Sequence, residues 1–113
     1  MGSYSWCLRP EDQELVAREL DGFLPDRLFD AHAHLHELSH YDSAEPGNVL
    51  GSHLKLLANA PARLGLEAYR AHMQWLAPGR RVDGVFMPTA LMGDPAVINP
   101  FVAHEVKQDA NCF

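Results

Sequence analysis

The stretch Leu28–Asp42, LFDAHAHLHELSHYD, places four histidines within nine residues and can be interpreted in two ways. From Asp30 it contains Asp-x-His-x-His, whose alternation is typical of a β-strand. From His36 it contains His-Glu-x-x-His, whose spacing is typical of one face of a helix. Each spacing can hold a divalent metal ion. The conformation of this stretch therefore decides both the fold and the candidate chemistry.

The first half of the stretch predicts a strand, because alternate side chains of a strand share a face. The two predicted faces are Leu28, Asp30, His32 and His34 on one side, and Phe29, Ala31 and Ala33 on the other. The histidines start about 7 Å apart along such a strand. Imidazole nitrogens bind zinc at ~2.0–2.1 Å, so the two rings can converge on one ion. On this interpretation His32 and His34 are the metal ligands, and Asp30 orients a ligand from the same face.

The second half of the stretch offers an alternative metal site. His36, Glu37 and His40 match the helical zinc-protease pattern, in which both histidines bind the metal and the glutamate acts as general base. That pattern requires a helix through Leu35, where the alternation predicts a strand. Pro46 would also end such a helix within two turns. The strand pair is therefore the preferred site, and the small zinc-protease-like hydrolase is kept as an alternative.

The rest of the chain alternates helices with strands. Helices are predicted in RPEDQELVARELDGF (9–23), GLEAYRAHMQWLAPGRR (65–81) and INPFVAHEVKQDA (98–110), with a shorter one in HLKLLANA (53–60). A second, buried strand is predicted in VDGVFMP (82–88), and a long loop between Glu37 and Ser52. Helices that alternate with strands favour an α/β fold with a parallel sheet and right-handed crossovers.

Composition excludes several function classes. The chain has 113 residues, the size of one small domain, and a net charge of −6. It has no run of Lys or Arg interleaved with aromatics, so neither nucleic acid nor an anionic membrane surface is an expected partner. It has no apolar N-terminal region of a secretory signal and no segment of ~20 apolar residues. Cys7 and Cys112 stand at opposite ends, which favours reduced thiols and a cytoplasmic location.

Three segments together, FDAHAHL, EAYRAHMQWLAPGRRVDGVFMPTAL and NPFVAHEVKQD, resemble the N-terminal part of the metal-dependent amidohydrolase superfamily. The branch that they resemble contains amidohydrolase-related hydrolases and decarboxylases. The resemblance covers Leu28–Asp109 and implies a (β/α)₈ barrel with a metal site at the C-terminal ends of its strands. It implies that His32 and His34 are the first-strand ligands and that Pro88 and Thr89 lie near the barrel mouth. Further histidines and a catalytic aspartate would come from later strands.

On this resemblance, residues 1–113 are a single partial domain of the α/β class. Residues 1–26 form a helical N-terminal extension, and residues 27–113 form the first two βα units of a TIM-like (β/α)₈ barrel, which is incomplete in this chain. A complete barrel takes at least ~200 residues. The expected function is therefore that of the N-terminal fragment of a metal-dependent hydrolase, with decarboxylation also open. The fragment would be inactive alone.

The expected cofactor is a divalent metal, zinc before others, and the expected partner is a small-molecule substrate. The residues that carry out catalysis cannot be named from this chain. A third hypothesis is non-catalytic. In it, the chain is a short α/β piece that associates with another copy through its open strand edges, because unpaired edges are ready templates for a further strand.

Overall fold

The computed structural model describes residues 9–41, 61–88 and 94–113. The elements in these ranges are, in chain order, α1 (Pro10–Glu19), β1 (Arg27–Glu37), a 3₁₀ turn (Leu38–His40), β2 (Arg63–Leu64), α2 (Leu66–Leu76), β3 (Arg81–Pro88) and α3 (Pro95–Val106). The protein is an α/β protein, as predicted, whereas its membership of a TIM-like barrel stays a prediction. The predicted helix at 53–60 lies outside the described residues, as does most of the loop predicted between Glu37 and Ser52. None of the helices in the described ranges is long and apolar enough to cross a bilayer.

The described strands form one mixed sheet in the order β2-β1-β3. β1 and β3 are parallel, with Arg27 opposite Arg81 at the start of the ladder. They are separated in sequence by α2, as expected for a βαβ unit. β2 pairs antiparallel with the end of β1, where His36 lies opposite Leu64. The sequence does not predict β2, because two residues are too few to show a period.

A β-bulge interrupts the ladder between β1 and β3. Asp30 lies opposite Gly84 and Ala33 lies opposite Phe86. Between these two pairs β1 advances by three residues and β3 by two. An extra residue reverses the alternation of side chains from that point onward. Leu28, before the bulge, accordingly packs against the same core as Ala33, after it. The prediction of one continuous polar face along β1 is therefore wrong at the bulge.

The hydrophobic core lies between the sheet and the helices α2 and α3. Its buried members are Ala33, Leu35, Leu64, Leu66, Ala68, Tyr69, Val82, Phe86, Val102 and Cys112. Leu66 and Tyr69 are buried as the helical spacing of α2 predicts, whereas Leu76 at the end of α2 is 38% exposed. Cys112 is a free, buried thiol, and Cys7 lies outside the described residues.

The helix α1 contributes no buried residue. The segment that follows it is held by Arg80, whose guanidinium donates to the Asp21 carboxylate at 2.8 Å. The same group donates to the backbone carbonyls of Asp21, Leu24 and Pro78. A buried cation thus helps to attach the N-terminal segment, and the predicted division at residue 26 stays a prediction.

The last residue, Phe113, pairs with β3. Its N–H donates to the Gly84 carbonyl at 3.0 Å, and its carbonyl accepts from the Phe86 N–H at 2.6 Å. This exchange with two alternate residues is the pattern of a parallel ladder. The Arg81 N–H, at an odd-numbered position, points to Asp26 beside β1. The Gly84 carbonyl and the Phe86 N–H therefore face away from β1, and Phe113 occupies the opposite edge of β3.

Candidate metal centre

His32 and His34 lie in β1 at and just after the bulge, out of phase with the core residues Ala33 and Leu35. Their Nε2 atoms are 3.1 Å apart. The ring centroids are 4.9 Å apart and the ring planes meet at 66°. His32 is exposed and His34 is half-buried. The structure therefore brings the two predicted ligands together, with their distal nitrogens facing each other.

The separation of these two nitrogens fits a shared metal ion. Two nitrogens bound to one tetrahedral zinc at ~2.0–2.1 Å lie about 3.3 Å apart. The distance of 3.1 Å is close to that value, and it also fits a hydrogen bond between the rings. The chemistry of the pair suits a divalent metal with imidazole ligands, zinc included. The two histidines can thus form one half of a zinc site.

The tautomer of His34 is fixed by the neighbouring strand. Its Nδ1 lies 3.0 Å from the carbonyl oxygen of Pro88, the last residue of β3. A carbonyl oxygen only accepts, so Nδ1 carries the proton and donates. The Nε2 of a neutral His34 then presents a lone pair toward His32, as a metal ligand must. A hydrogen bond between the rings would then have His32 Nε2 as its donor.

Asp30 contacts the pair in a way that the sequence does not predict. Because of the bulge, its carboxylate faces α2 and accepts the Tyr69 hydroxyl at 2.9 Å. The other carboxylate oxygen accepts the backbone N–H of His32 at 3.0 Å. Burial, and then the bond to Asp30, raises the pKa of the Tyr69 hydroxyl, which keeps it a donor. The prediction that Asp30 shares the face of the histidines is therefore wrong, and the sequence does not predict the contact of Asp30 with Tyr69.

The alternative site, His36, Glu37 and His40, requires one helix through all three residues. Instead, His36 and Glu37 end β1, and Leu38–His40 form a single 3₁₀ turn. The buried His36 ring lies against the backbone, with Nε2 2.8 Å from the carbonyl oxygen of Pro61. The helix that the zinc-protease interpretation needs is not formed, so that interpretation loses its geometric basis.

A cluster that the sequence does not predict gathers Asp83, Asp109 and Cys112, whose ligand atoms lie within 4.8 Å of one another. Two guanidinium groups already occupy it. Arg81 Nη2 lies 3.0 Å from Asp83 Oδ1 and 3.1 Å from Asp109 Oδ2, and Arg70 contacts both carboxylates. At Asp83 Oδ1 the contact is an ion pair rather than an aligned hydrogen bond. The two cations neutralise the carboxylates and would repel a metal, so the cluster is an ion-pair network.

Within residues 9–41, 61–88 and 94–113, that network is the one group of three or more candidate ligand residues. No third His, Cys, Asp or Glu from these ranges therefore joins His32 and His34. A catalytic zinc normally has three protein ligands and one open position.

Comparisons with protein-family models, with curated proteins and with solved structures found no match.

Proposed function

We propose that this chain is the N-terminal part of a metal-dependent hydrolase of the amidohydrolase type, in which His32 and His34 supply two ligands of a divalent metal, zinc before others. The observation that carries the proposal is the 3.1 Å separation of the two Nε2 atoms. The proposal also rests on the resemblance of FDAHAHL and the two later segments to the amidohydrolase superfamily. The proposed setting is the cytoplasm, and the proposed substrate is a small molecule with a hydrolysable bond or a removable carboxylate.

The position of the pair in the sheet supports this function. His34 lies opposite Met87 in the parallel ladder, one residue before the end of β3. The Pro88 carbonyl that orients His34 is at that end. In α/β barrels the active site is built at the C-terminal ends of the parallel strands. The pair and the group that orients it both belong to that end.

The chain's own residues would hold and orient the reacting centre. His34 presents Nε2 because Pro88 retains the proton on Nδ1, and His32 approaches from the same side of β1. The chemistry that a zinc ion supplies when bound is a water with its pKa lowered to ~7 and a polarised substrate carbonyl. Neither His32 nor His34 acts as the catalytic acid or base in this proposal. We therefore expect residues 1–113 alone to show little or no turnover.

Two features support the view that these elements are part of a larger sheet. Phe29, on the side of β1 away from the core, is 55% exposed, although a large apolar side chain on a sheet face is normally covered. The edge of β3 opposite β1 accepts Phe113 in the parallel sense. A further parallel strand on that edge would extend the sheet.

Metal binding by the zinc-free chain tests the proposal. Zinc added against a chromophoric chelator should report one weak site per chain, and Co²⁺ should give a visible spectrum with nitrogen ligands. His32→Ala, His34→Ala and the double variant should each lose the site. His104→Ala, which removes an exposed histidine on α3, is the matched control and should bind as the wild type does. Equal binding by the double variant and the control would overturn the assignment.

The non-catalytic hypothesis is supported by one specific observation, the parallel backbone pairing of Phe113 with the edge of β3 opposite β1. Sedimentation equilibrium of the 113-residue chain separates it from the metal hypothesis. If the chain associates with rising concentration, and if the association constant is the same with and without zinc and in the His32→Ala, His34→Ala double variant, strand-edge pairing is favoured. A monomer that binds zinc through the pair would rule it out.

A further inference from the structure

Between Asp30 and His34 the backbone of β1 departs from a regular strand, and the departure is where the two rings meet. The backbones of residues two apart on a regular strand are about 7 Å apart, and the ring centroids of His32 and His34 approach to 4.9 Å. His32 lies inside the bulge, between the ladder pairs of Asp30 and Ala33. A bulge re-aims side chains. The convergence of the rings therefore depends on how the bulge is held.

From this geometry we propose that Asp30 is a positioning residue that sets the direction of the His32 ring through the backbone. This inference rests on the proposed metal function of the pair. Asp30 Oδ1 accepts the His32 N–H at 3.0 Å. A side chain that bonds the N–H two residues on forms a local turn. That turn supplies the hydrogen bond that a regular ladder would otherwise give, and it fixes the peptide plane from which the His32 side chain projects.

The carboxylate is itself anchored from the helix layer. Asp30 Oδ2 accepts the hydroxyl of Tyr69, which is 5% exposed. The Tyr69 ring meets Phe86 edge to face, with centroids 4.8 Å apart and planes at 89°. Tyr69 therefore has little freedom to move away. A rigid line of contacts runs from α2 through Asp30 to the backbone of His32.

The neighbouring strand is shaped to admit the bulge. Gly84 lies opposite Asp30, and a Cβ at Gly84 would lie 2.9 Å from the carbonyl oxygen of Asp30 and 3.4 Å from its Cβ. A side chain at residue 84 would push the backbone of Asp30 away. The absence of a side chain at this position is thus a second, independent feature that fits the bulge.

The two rings are therefore oriented by different means. His34 is held directly, at Nδ1, by the carbonyl of Pro88. In the part of the chain that the structure describes, the His32 ring has no such carbonyl partner, and its direction comes from the backbone that Asp30 holds. Removing the carboxylate should leave His34 in place and release His32.

Two measurements on the intact chain test this role. The first is the nuclear Overhauser effect between the ring protons of His32 and His34 in zinc-free protein, which reports their approach without any metal. The second is zinc affinity by chelator competition. Asp30→Ala should weaken the ring–ring signal and lower zinc affinity by about 10- to 100-fold, the usual effect of losing a group that orients a metal ligand. Tyr69→Phe should fall between wild type and Asp30→Ala.

The chain offers matched controls. Tyr41 is also buried, and its hydroxyl has no hydrogen-bond partner in the described part of the chain, so Tyr41→Phe removes the same atom without touching Asp30. Asp26→Ala removes an exposed carboxylate near the start of β1. Both controls should keep the ring–ring signal and the zinc affinity of the wild type. If Asp30→Ala does not fold, Tyr69→Phe decides by the same two measurements.

The outcomes separate this inference from the proposed function. An unchanged ring–ring signal and unchanged zinc affinity in Asp30→Ala and Tyr69→Phe would overturn the positioning role, even if the wild type binds zinc. If the wild type binds no zinc, the proposed function fails. The ring–ring signal then still decides whether Asp30 holds His32 against His34.

Discussion

The carboxylate of Glu105 lies directly against Gly65, so that a Cβ at residue 65 would be 2.8 Å from Oε1. Oε2 of Glu105 accepts the N–H of Leu66, the first residue of α2, at 3.3 Å. The first N–H groups of a helix lack partners within it, and its N-terminus favours negative charge. Gly65 has no side chain to supply a cap. A glutamate from α3 therefore caps α2, and the glycine makes the approach possible.

Gly65→Ala should destabilise the protein, because the new methyl group must displace the buried carboxylate that caps α2. The carboxylate is the end of a flexible side chain and can shift, so the expected cost is that of its weakened hydrogen bond to the Leu66 N–H, about 1 kcal/mol. Gly22→Ala is the matched control, since a Cβ there would meet nothing within 4 Å, and it should change the free energy of unfolding by less than ~0.5 kcal/mol. Urea unfolding followed by circular dichroism measures both. Equal midpoints for the two variants would contradict this account of the cap.

Glu105→Ala should itself cost about 1–3 kcal/mol, because it leaves the buried N–H of Leu66 without an acceptor. It also removes one of the two carboxylate partners that Arg63 has in the described residues, and Arg63 Nη2 lies 2.7 Å from Oε1. That ion pair adds little, since the Arg63 side chain is 59% exposed. The decisive comparison is a double-mutant cycle with Gly65→Ala. Once the carboxylate is gone the clash is gone, so Gly65→Ala should cost markedly less in the Glu105→Ala background. Strictly additive free energies would show that the two residues do not interact.

Arg80→Ala should loosen the N-terminal segment. The guanidinium is only 10% exposed and bridges Asp21 to the carbonyls of Leu24 and Pro78. Each hydrogen bond to a charged group contributes about 1.5–3 kcal/mol, and the 59% exposure of Asp21 puts the net loss at the lower end. Amide hydrogen exchange should speed up in residues 10–24. Arg18→Ala, which removes a 70% exposed guanidinium on α1, should leave exchange unchanged. Similar exchange in both variants would contradict a clamp at Arg80.

The sequence predicts the elements whose evidence is local. The period of α2 and the alternation in β1 are properties of one segment, and both elements are formed where they are expected. The bulge in β1 is different, because an extra residue is defined only against the register of β3. Gly84, inside the strand β3, is the one local signal, since a glycine there often marks a bulge or a close backbone approach.

The same distinction holds at the candidate metal centre. His32 and His34 are two residues apart, so strand geometry alone predicts that they are near neighbours on β1. The groups that orient them come from elsewhere in the chain. Pro88 is 54 positions from His34, and Tyr69 is 39 positions from Asp30. Such contacts depend on how α2 and β3 pack on β1, which no single segment reveals.

The ion-pair network predicts how stability changes in acid. The N–H of Asn111, and then the side chain of Arg70, lower the pKa of the Asp109 carboxyl from 3.8 to about 2. A carboxyl whose pKa is lower in the folded than in the unfolded state binds fewer protons when folded. Its contribution to stability is therefore complete above the unfolded pKa and is lost as the pH falls from about 4 toward 2.

Asp109→Asn should accordingly reduce the fall in unfolding midpoint between pH 4 and pH 2, because the variant has no carboxyl to protonate at this position. Urea titrations across that range measure the slope. Arg70→Gln, which keeps Asp109 but removes one of its cations, should move the Asp109 pKa up toward its ordinary value in a carboxyl ¹³C titration. The contrary result is an unfolding midpoint of Asp109→Asn that falls between pH 4 and pH 2 as steeply as that of the wild type does, with the Asp109 pKa unchanged in Arg70→Gln. That result would mean that other carboxyls control the loss of stability in acid.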